Sequence, residues 1–202
     1  MTGPDAAAVT GAADDAERAN AEKAFGFWVY LMSDAVIFAM LFATYAVMAH
    51  RVAGGPTGRT LFRLPHTFAE TMLLLASSFT FGLSSIATNT GRRPWTLIWL
   101  GVTLLLGLAF VGMEITEFRD MVASGAGPDR SGFLSAFFTL VGTHGLHVSV
   151  GMIWIVLLGI EVAVRGLNPQ VVSHLYRLSL FWHFLDIVWI GVFSIVYLPG
   201  LI

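Results

Sequence analysis

Five long apolar stretches divide the chain, and the residues between them are rich in glycine, proline and charged side chains. The stretches cover residues 27–49, 68–87, 95–115, 133–164 and 178–198. Each is long enough for the roughly 20 residues with which an α-helix crosses the hydrocarbon core of a bilayer. The fourth stretch exceeds a perpendicular span, so its helix is expected to tilt or to extend past the lipid surface. The pattern predicts an all-α integral membrane protein, a bundle of five transmembrane helices.

The first 24 residues have a different character. They are rich in alanine and aspartate and show no hydrophobic periodicity. This composition predicts an acidic cytoplasmic tail that is largely disordered and turns helical near residues 16–24. A basic start, a short apolar core and a small-residue cleavage site are missing, so no secretory signal is predicted. The predicted organisation is therefore a tail of residues 1–24 and a five-helix membrane domain of residues 25–202.

The distribution of basic residues predicts the orientation. An odd number of crossings places the two ends of the chain on opposite sides of the membrane. The tail, the second connector and the fourth connector carry Arg18, Lys23, Arg92, Arg93, Arg165 and Arg177. The first and third connectors carry Arg51, Arg59, Arg63, Arg119 and Arg130. By the positive-inside rule, the small excess favours a cytoplasmic N-terminus and a periplasmic C-terminus.

Composition narrows the possible classes of protein. Only 12% of the residues are charged, about half the share in soluble proteins, which agrees with a membrane location. The net charge of −2 argues against a nucleic-acid partner, which calls for a basic face. The absence of cysteine excludes disulfides, thiolate metal sites and a copper centre built on paired cysteines.

Two histidines lie near the middle of the fourth apolar stretch. His144 and His147 are three residues apart and share one face of a helix. Gly142 and Gly145 leave that face bare enough for another helix to approach closely. We interpret His144 and His147 as an inter-helix polar face.

A second polar group is predicted on the cytoplasmic side. With the N-terminus inside, Asp34 of the first helix and His183 and Asp186 of the last helix fall at similar depths. An ionisable group at membrane depth costs several kcal/mol unless it finds a partner. Asp34, His183 and Asp186 are therefore predicted to form a polar network. Its role, in helix register or in proton uptake, stays open at this point.

Three further acids fall toward the outer side. Glu70 starts the second helix, and Glu114 and Glu117 end the third. Because they lie close to helix ends, as Glu161 does, we expect these groups to reach interfacial water. Tyr197, at the end of the fifth helix, is interpreted as an ordinary residue of the interfacial aromatic belt or of the helix packing.

Paired glutamates and histidines also occur in di-metal carboxylate centres of four-helix bundles. Here Glu114 and Glu117 are predicted to lie toward the opposite side from His183 and Asp186, too far apart for ligand bonds of about 2 Å. A haem between His144 or His147 and His183 is geometrically less difficult, although the adjacent glycines leave little room for a porphyrin. An ion transporter is a third class, but an inverted repeat is hard to build from five helices.

We therefore predict no catalytic residue, no cofactor-binding residue and no metal ligand in this chain. A self-contained membrane haem or di-metal protein that uses His144, His147 and His183 remains the alternative. An optical spectrum and a metal analysis of the purified chain would separate the two.

Two segments together resemble subunit III of the haem–copper respiratory oxidases. They are residues 143–148 (THGLHV) and residues 182–189 (WHFLDIVW). Residues 33–38 are similar to the family's first membrane acid motif, residues 70–78 to its Glu-led segment, and residues 114–118 to its Gln-x-x-Glu-aromatic signature. The resemblance covers residues 25–202.

Departures from the cytochrome c oxidase pattern point to another branch of that family. Asp34 stands where those oxidases usually have Glu, and Glu114 stands where they usually have Gln. The chain also has five predicted helices where the longer version has seven. Residues 54–58, 110–114 and 127–133 look closest to the ubiquinol oxidases that contain cytochrome o.

The resemblance implies a subunit without redox centres of its own. Haem b, haem o and copper would belong to subunit I, and the partners would be subunits I, II and IV together with phospholipids bound between the helices. Such a complex oxidises ubiquinol, reduces oxygen to water and translocates protons across the bacterial inner membrane. Subunit III would be a multi-pass protein of that membrane that supports assembly, stability and proton uptake.

Overall fold

The computed structural model describes residues 4–49, 51–52 and 64–201, and within them it contains helices and turns but no strand. Side chains are described for residues 22, 24–49, 51–52 and 65–199. The long helices are α1 (Pro4–Met48), α2 (Leu64–Asn89), α3 (Arg93–Ala123), α4 (Gly132–Arg165) and α5 (Pro169–Val192). A π-helical turn (Phe193–Tyr197) and the short α6 (Leu198–Leu201) follow.

Five segments of these helices are long and apolar enough to cross a membrane. They are Ala24–Met48, Pro65–Asn89, Arg93–Ala123, Gly132–Arg165 and Pro169–Tyr197. The prediction of an all-α membrane protein with five spans is confirmed.

The helices extend beyond the apolar stretches. The third helix continues to Ala123, whereas the apolar stretch ends at residue 115. The fifth helix begins at Pro169, whereas its apolar stretch begins at residue 178, and the Asn168 side chain caps its first turn by accepting a bond of 2.9 Å from the Val171 N–H. Charged side chains end the hydrophobic pattern, but they do not interrupt the hydrogen bonds of the helix backbone. The helix itself ends at a glycine, a proline or a capping residue.

The first helix includes much of the segment that the composition predicts to be largely disordered. α1 begins at Pro4, so residues 4–24 are helical. The side chains of residues 1–21 and of Lys23 lie outside the described set, as does most of the first connector. The division into a tail and a membrane domain stays a prediction. The chain forms two compact units, Met1–Ile37 and Phe38–Ile202, and each is considered by itself.

Four helices form a closed ring in the second unit. α2 packs against α3, α3 against α4, α4 against α5, and α5 returns to α2. Residues 38–48 of α1 belong to the same unit. There the Phe38 ring lies 5.2 Å from the ring of His147, and the Tyr45 hydroxyl donates to the Val196 carbonyl at 3.4 Å.

Two indoles of α5 tie this helix to the rest of the ring. Trp182 donates from Nε1 to Ser77 Oγ on α2 at 3.1 Å, and Trp189 donates in the same way to Thr71 Oγ1 at 3.1 Å. The Trp182 ring also fills space above two glycines, because a Cβ at Gly107 or at Gly151 would lie 3.1 Å from it. Small residues and inter-helix hydrogen bonds are the usual means of fixing helix packing in a bilayer.

Candidate functional site

Three glutamates meet at one end of the helix ring, and we call Glu70, Glu114 and Glu117 the carboxylate cluster. Glu70 is fully buried and Glu114 is 3% exposed, while Glu117 is partly buried. The expectation that all three reach water is wrong for Glu70 and Glu114. Their position near helix ends does not expose them, because neighbouring helices cover them.

Each glutamate of the cluster has a different neighbour. The Glu70 carboxylate lies 3.4 Å from His66 Nδ1, one helical turn away on α2. The Glu117 carboxylate accepts a hydrogen bond of 2.9 Å from the Tyr197 hydroxyl. The Glu114 carboxylate lies against α4, where a Cβ at Gly145 would come within 2.5 Å of both of its oxygens.

Sequence reasoning missed two residues of this site. Tyr197 is fully buried, so of the two expected roles it has the packing role and not the belt role, and its hydroxyl, which the sequence did not assign to a site, donates to Glu117 from the π-helical turn. His66 was not considered. Its four-residue spacing from Glu70 is the signal that could have found it, since residues i and i+4 share a helix face.

His66, Glu70 and Glu117 also bring three potential ligand atoms together. One nitrogen or oxygen atom from each lies within 4.8 Å of those of the other two, and they are the one such group found among the described residues.

The two histidines of α4 point to different partners. His144 is fully buried, and its Nε2 lies 3.2 Å from the Leu185 carbonyl of α5. The rings of Trp189 and Phe110 lie 5.1 Å and 5.8 Å from it. His147 bonds instead within its own helix, through Nδ1 to the Thr143 carbonyl at 2.7 Å. His144 thus forms an inter-helix contact, and the space beside Gly145 is filled by the Glu114 side chain.

The structure brings His183 and Asp186 together on α5. His183 Nδ1 lies 3.5 Å from the Asp186 carboxylate and shares a hydrogen bond of 2.8 Å with Ser78 Oγ of α2. Asp34 belongs to the first unit, where the Tyr30 hydroxyl hydrogen-bonds to its carboxylate. A network that joins Asp34 to His183 and Asp186 therefore stays a prediction.

This arrangement suits a helical scaffold. The indoles of Trp182 and Trp189 and the imidazole of His144 bond across helices, which fixes the register of the helices in a medium without water. The carboxylate cluster is the exception, because burying several ionised carboxylates together would require a compensating proton or cation.

The fold and these contacts define a multi-pass helical membrane protein with polar groups buried between its helices. A family model described as "Cytochrome c oxidase subunit III" matches residues 9–201. The chain belongs to this family, and it is a multi-pass protein of the bacterial inner membrane.

Individual relatives cover nearly the whole chain. The chain is 54% identical over 187 residues to "Cytochrome bo(3) ubiquinol oxidase subunit 3" of Pseudomonas aeruginosa, covering 93% of this chain and 90% of the relative. It is 47% identical to "Quinol oxidase subunit 3" of Bacillus subtilis, and the match covers 87% of this chain and 86% of the relative. It is 44% identical to "Cytochrome c oxidase subunit 3" of Bacillus sp. PS3, and the match covers 89% of this chain and 87% of the relative. The alternative of a self-contained haem or di-metal protein using His144, His147 and His183 finds no support in these matches.

Proposed function

We propose that this chain is subunit III of a proton-translocating ubiquinol oxidase of the cytochrome bo3 type. The observation that carries the proposal is the 54% identity to a ubiquinol oxidase subunit over 93% of the chain. Two further relatives named as quinol oxidase subunits are 51% and 47% identical to the chain. Ubiquinol is therefore the electron donor we assign to the complex.

Within that complex, the chain is a non-catalytic subunit that supports assembly and stability. Haem b, haem o and copper reside in subunit I, and the chain associates with subunits I, II and IV. The support is the way its polar side chains are used: His144 bonds a carbonyl of α5, and His183 bonds Ser78 of α2. These imidazoles act as cross-links between helices. The N-terminus is cytoplasmic and the C-terminus periplasmic.

A bound phospholipid belongs to the same proposal. A cavity of about 300 Å³ lies between α2 and the beginning of α5. Its wall is apolar at Phe81, Val172 and Leu175, while Ser84 and Thr88 add hydroxyl groups. Such a lining suits part of an acyl chain with its polar ester end. Asp34 is the residue through which the subunit would support proton uptake into subunit I.

The test compares the intact oxidase with the same oxidase prepared from a strain that lacks this subunit. We expect unchanged haem absorption per assembled complex, an initial turnover per haem that is slowed but not abolished, and a faster loss of activity during repeated turnover or mild heating. Restoring the chain from a plasmid should restore the lifetime. If oxidase that lacks the chain still contains haem and copper but shows no turnover, the non-catalytic role is wrong. If the lifetime and the amount of assembled oxidase are both unaffected, the stabilising role is wrong.

A further inference from the structure

His66, Glu70 and Glu117 are the starting point because they offer one imidazole and two carboxylates from two different helices. His66 and Glu70 are one turn apart on α2, and Glu117 comes from the last turns of α3. Their nearest ligand-type atoms all lie within 4.8 Å of one another. The proposed function assigns these three side chains no role.

The buried carboxylate of Glu70 gives a second, independent indication. Glu70 is fully buried, and neither of its oxygens has a hydrogen-bond partner, although one of them lies 3.4 Å from His66 Nδ1. Buried polar atoms in native proteins nearly always have partners, so an orphaned carboxylate requires an explanation. Its neighbours include two further acids, Glu114 and Glu117. A bound cation would supply both the missing partner and the missing positive charge.

The donor set indicates which kind of cation fits. Imidazole nitrogen with carboxylate oxygen suits Zn²⁺ and related first-row divalent ions, whereas Ca²⁺ and Mg²⁺ prefer oxygen ligands alone. Zn²⁺ bonds of about 2.0–2.2 Å place the donors of a tetrahedral site about 3.4 Å apart. The present separations, of up to 4.8 Å, therefore need to contract by up to about 1.4 Å, a movement that rotation of glutamate side chains can provide.

The site is also accessible to an ion, and a hydrogen bond orients one of its carboxylates. The His66 side chain is 32% exposed and lies at the start of the second span, so an ion can reach it from outside the helix ring. The Tyr197 hydroxyl donates to one oxygen of Glu117 and leaves the other oxygen for a ligand bond. Hydrogen bonds of this kind orient ligating carboxylates in known metal sites.

We propose that His66, Glu70 and Glu117 form a binding site for Zn²⁺ or a similar divalent transition-metal ion that links α2 to α3. This proposal differs from the prediction made from the sequence, in which the chain contains no metal ligand. It uses none of His144, His147 and His183, and it carries no redox chemistry in the proposal. A water molecule would complete the tetrahedron.

The experiment uses the intact, detergent-purified complex. After treatment with EDTA and removal of the chelator, Zn²⁺ is added alone, and its stoichiometry and affinity are measured by calorimetry and by elemental analysis. The variants are His66→Gln, Glu70→Gln and Glu117→Gln. The matched control is Glu161→Gln, because Glu161 also faces a histidine, His174, at 3.5 Å.

We expect the wild-type complex and the Glu161→Gln variant to bind one Zn²⁺ that the three site variants do not bind. Loss of a neighbour that orients a ligand weakens metal binding about 10–100-fold, so loss of a ligand should weaken it by at least about 100-fold. Tyr197→Phe, which removes only the hydroxyl, should weaken binding by about tenfold. Equal Zn²⁺ binding by wild type and the three site variants would overturn the proposal.

A measurement on the wild-type complex keeps the test decisive if a variant fails to assemble. X-ray absorption at the zinc edge should show nitrogen and oxygen neighbours at about 2.0–2.2 Å, with the outer-shell signal of an imidazole. Zinc that is bound only through sulfur or only by water, or no bound zinc at all after removal of excess ion, would overturn the proposal.

Discussion

The contact between Trp182 and Gly151 offers a sharp test of how the helix ring is held together. A methyl group added at Gly151 would lie 3.1–3.2 Å from ring atoms of Trp182 and Phe181, which are 1% and 2% exposed. Ordinary carbon–carbon contacts are about 3.5–4.0 Å, and neither ring has free space into which to move. Overpacking of this kind costs about 1–3 kcal/mol. We therefore expect Gly151→Ala to destabilise the packing of α5 against α4.

Gly159→Ala is the matched control, because Gly159 lies on the same helix and a Cβ there would meet nothing within 4 Å. Both substitutions gain about 1 kcal/mol of helix propensity, so the difference between them isolates the clash. The assay heats the purified complex and measures the temperature at which this subunit is lost. Each kcal/mol corresponds to about 2–4 °C for a domain of this size. If Gly151→Ala is as stable as Gly159→Ala, the reasoning is refuted.

Three further predictions concern the buried polar side chains. Thr71→Val should leave the Trp189 indole without its acceptor and cost about 1–3 kcal/mol, measured as earlier thermal loss of the subunit; an unchanged midpoint would contradict the contact. His183→Ala should weaken the contact between α5 and α2 by about 1 kcal/mol, whereas His174→Ala, whose similarly exposed imidazole faces Glu161 of α4, should leave that contact intact; equal retention of the subunit in both variants would argue against a structural role for His183. Asp34→Ala should slow proton uptake under turnover while Asp34→Glu keeps it, and unchanged turnover and pumping in Asp34→Ala would dispose of that role.

The membrane-spanning helices could be predicted from the sequence because hydrocarbon selects apolar residues over about 20 positions. Helix ends could not be predicted in the same way. Residues 116–123 carry charges and still continue α3, since a polar side chain that reaches water leaves the backbone ladder intact. The five spans are thus visible in the hydropathy pattern, while their bounds depend on caps such as Asn168.

The polar site was only partly predictable, for a physical reason. Spacing along one helix shows which residues share a face, so the proximity of His183 and Asp186 follows from their separation by three positions. Contacts between helices need the packed structure. Tyr197 lies near the end of a predicted span, where aromatic residues of the interfacial belt are common. Only the π-helical turn and the packing of α3 beside it reveal that Tyr197 bonds Glu117. The burial of Glu70 and Glu114 could not be predicted from their places near helix ends, because it depends on which neighbours cover them.

The most direct test of the central claim is affinity purification of the tagged chain from native membranes in mild detergent. The account predicts that it is recovered with a large haem-bearing polypeptide, that the preparation oxidises ubiquinol with oxygen, and that haem and copper stay with that larger polypeptide when this chain is dissociated. Recovery of the chain without any haem-bearing partner, or iron or copper bound to the dissociated chain through His144, His147 or His183, would contradict it.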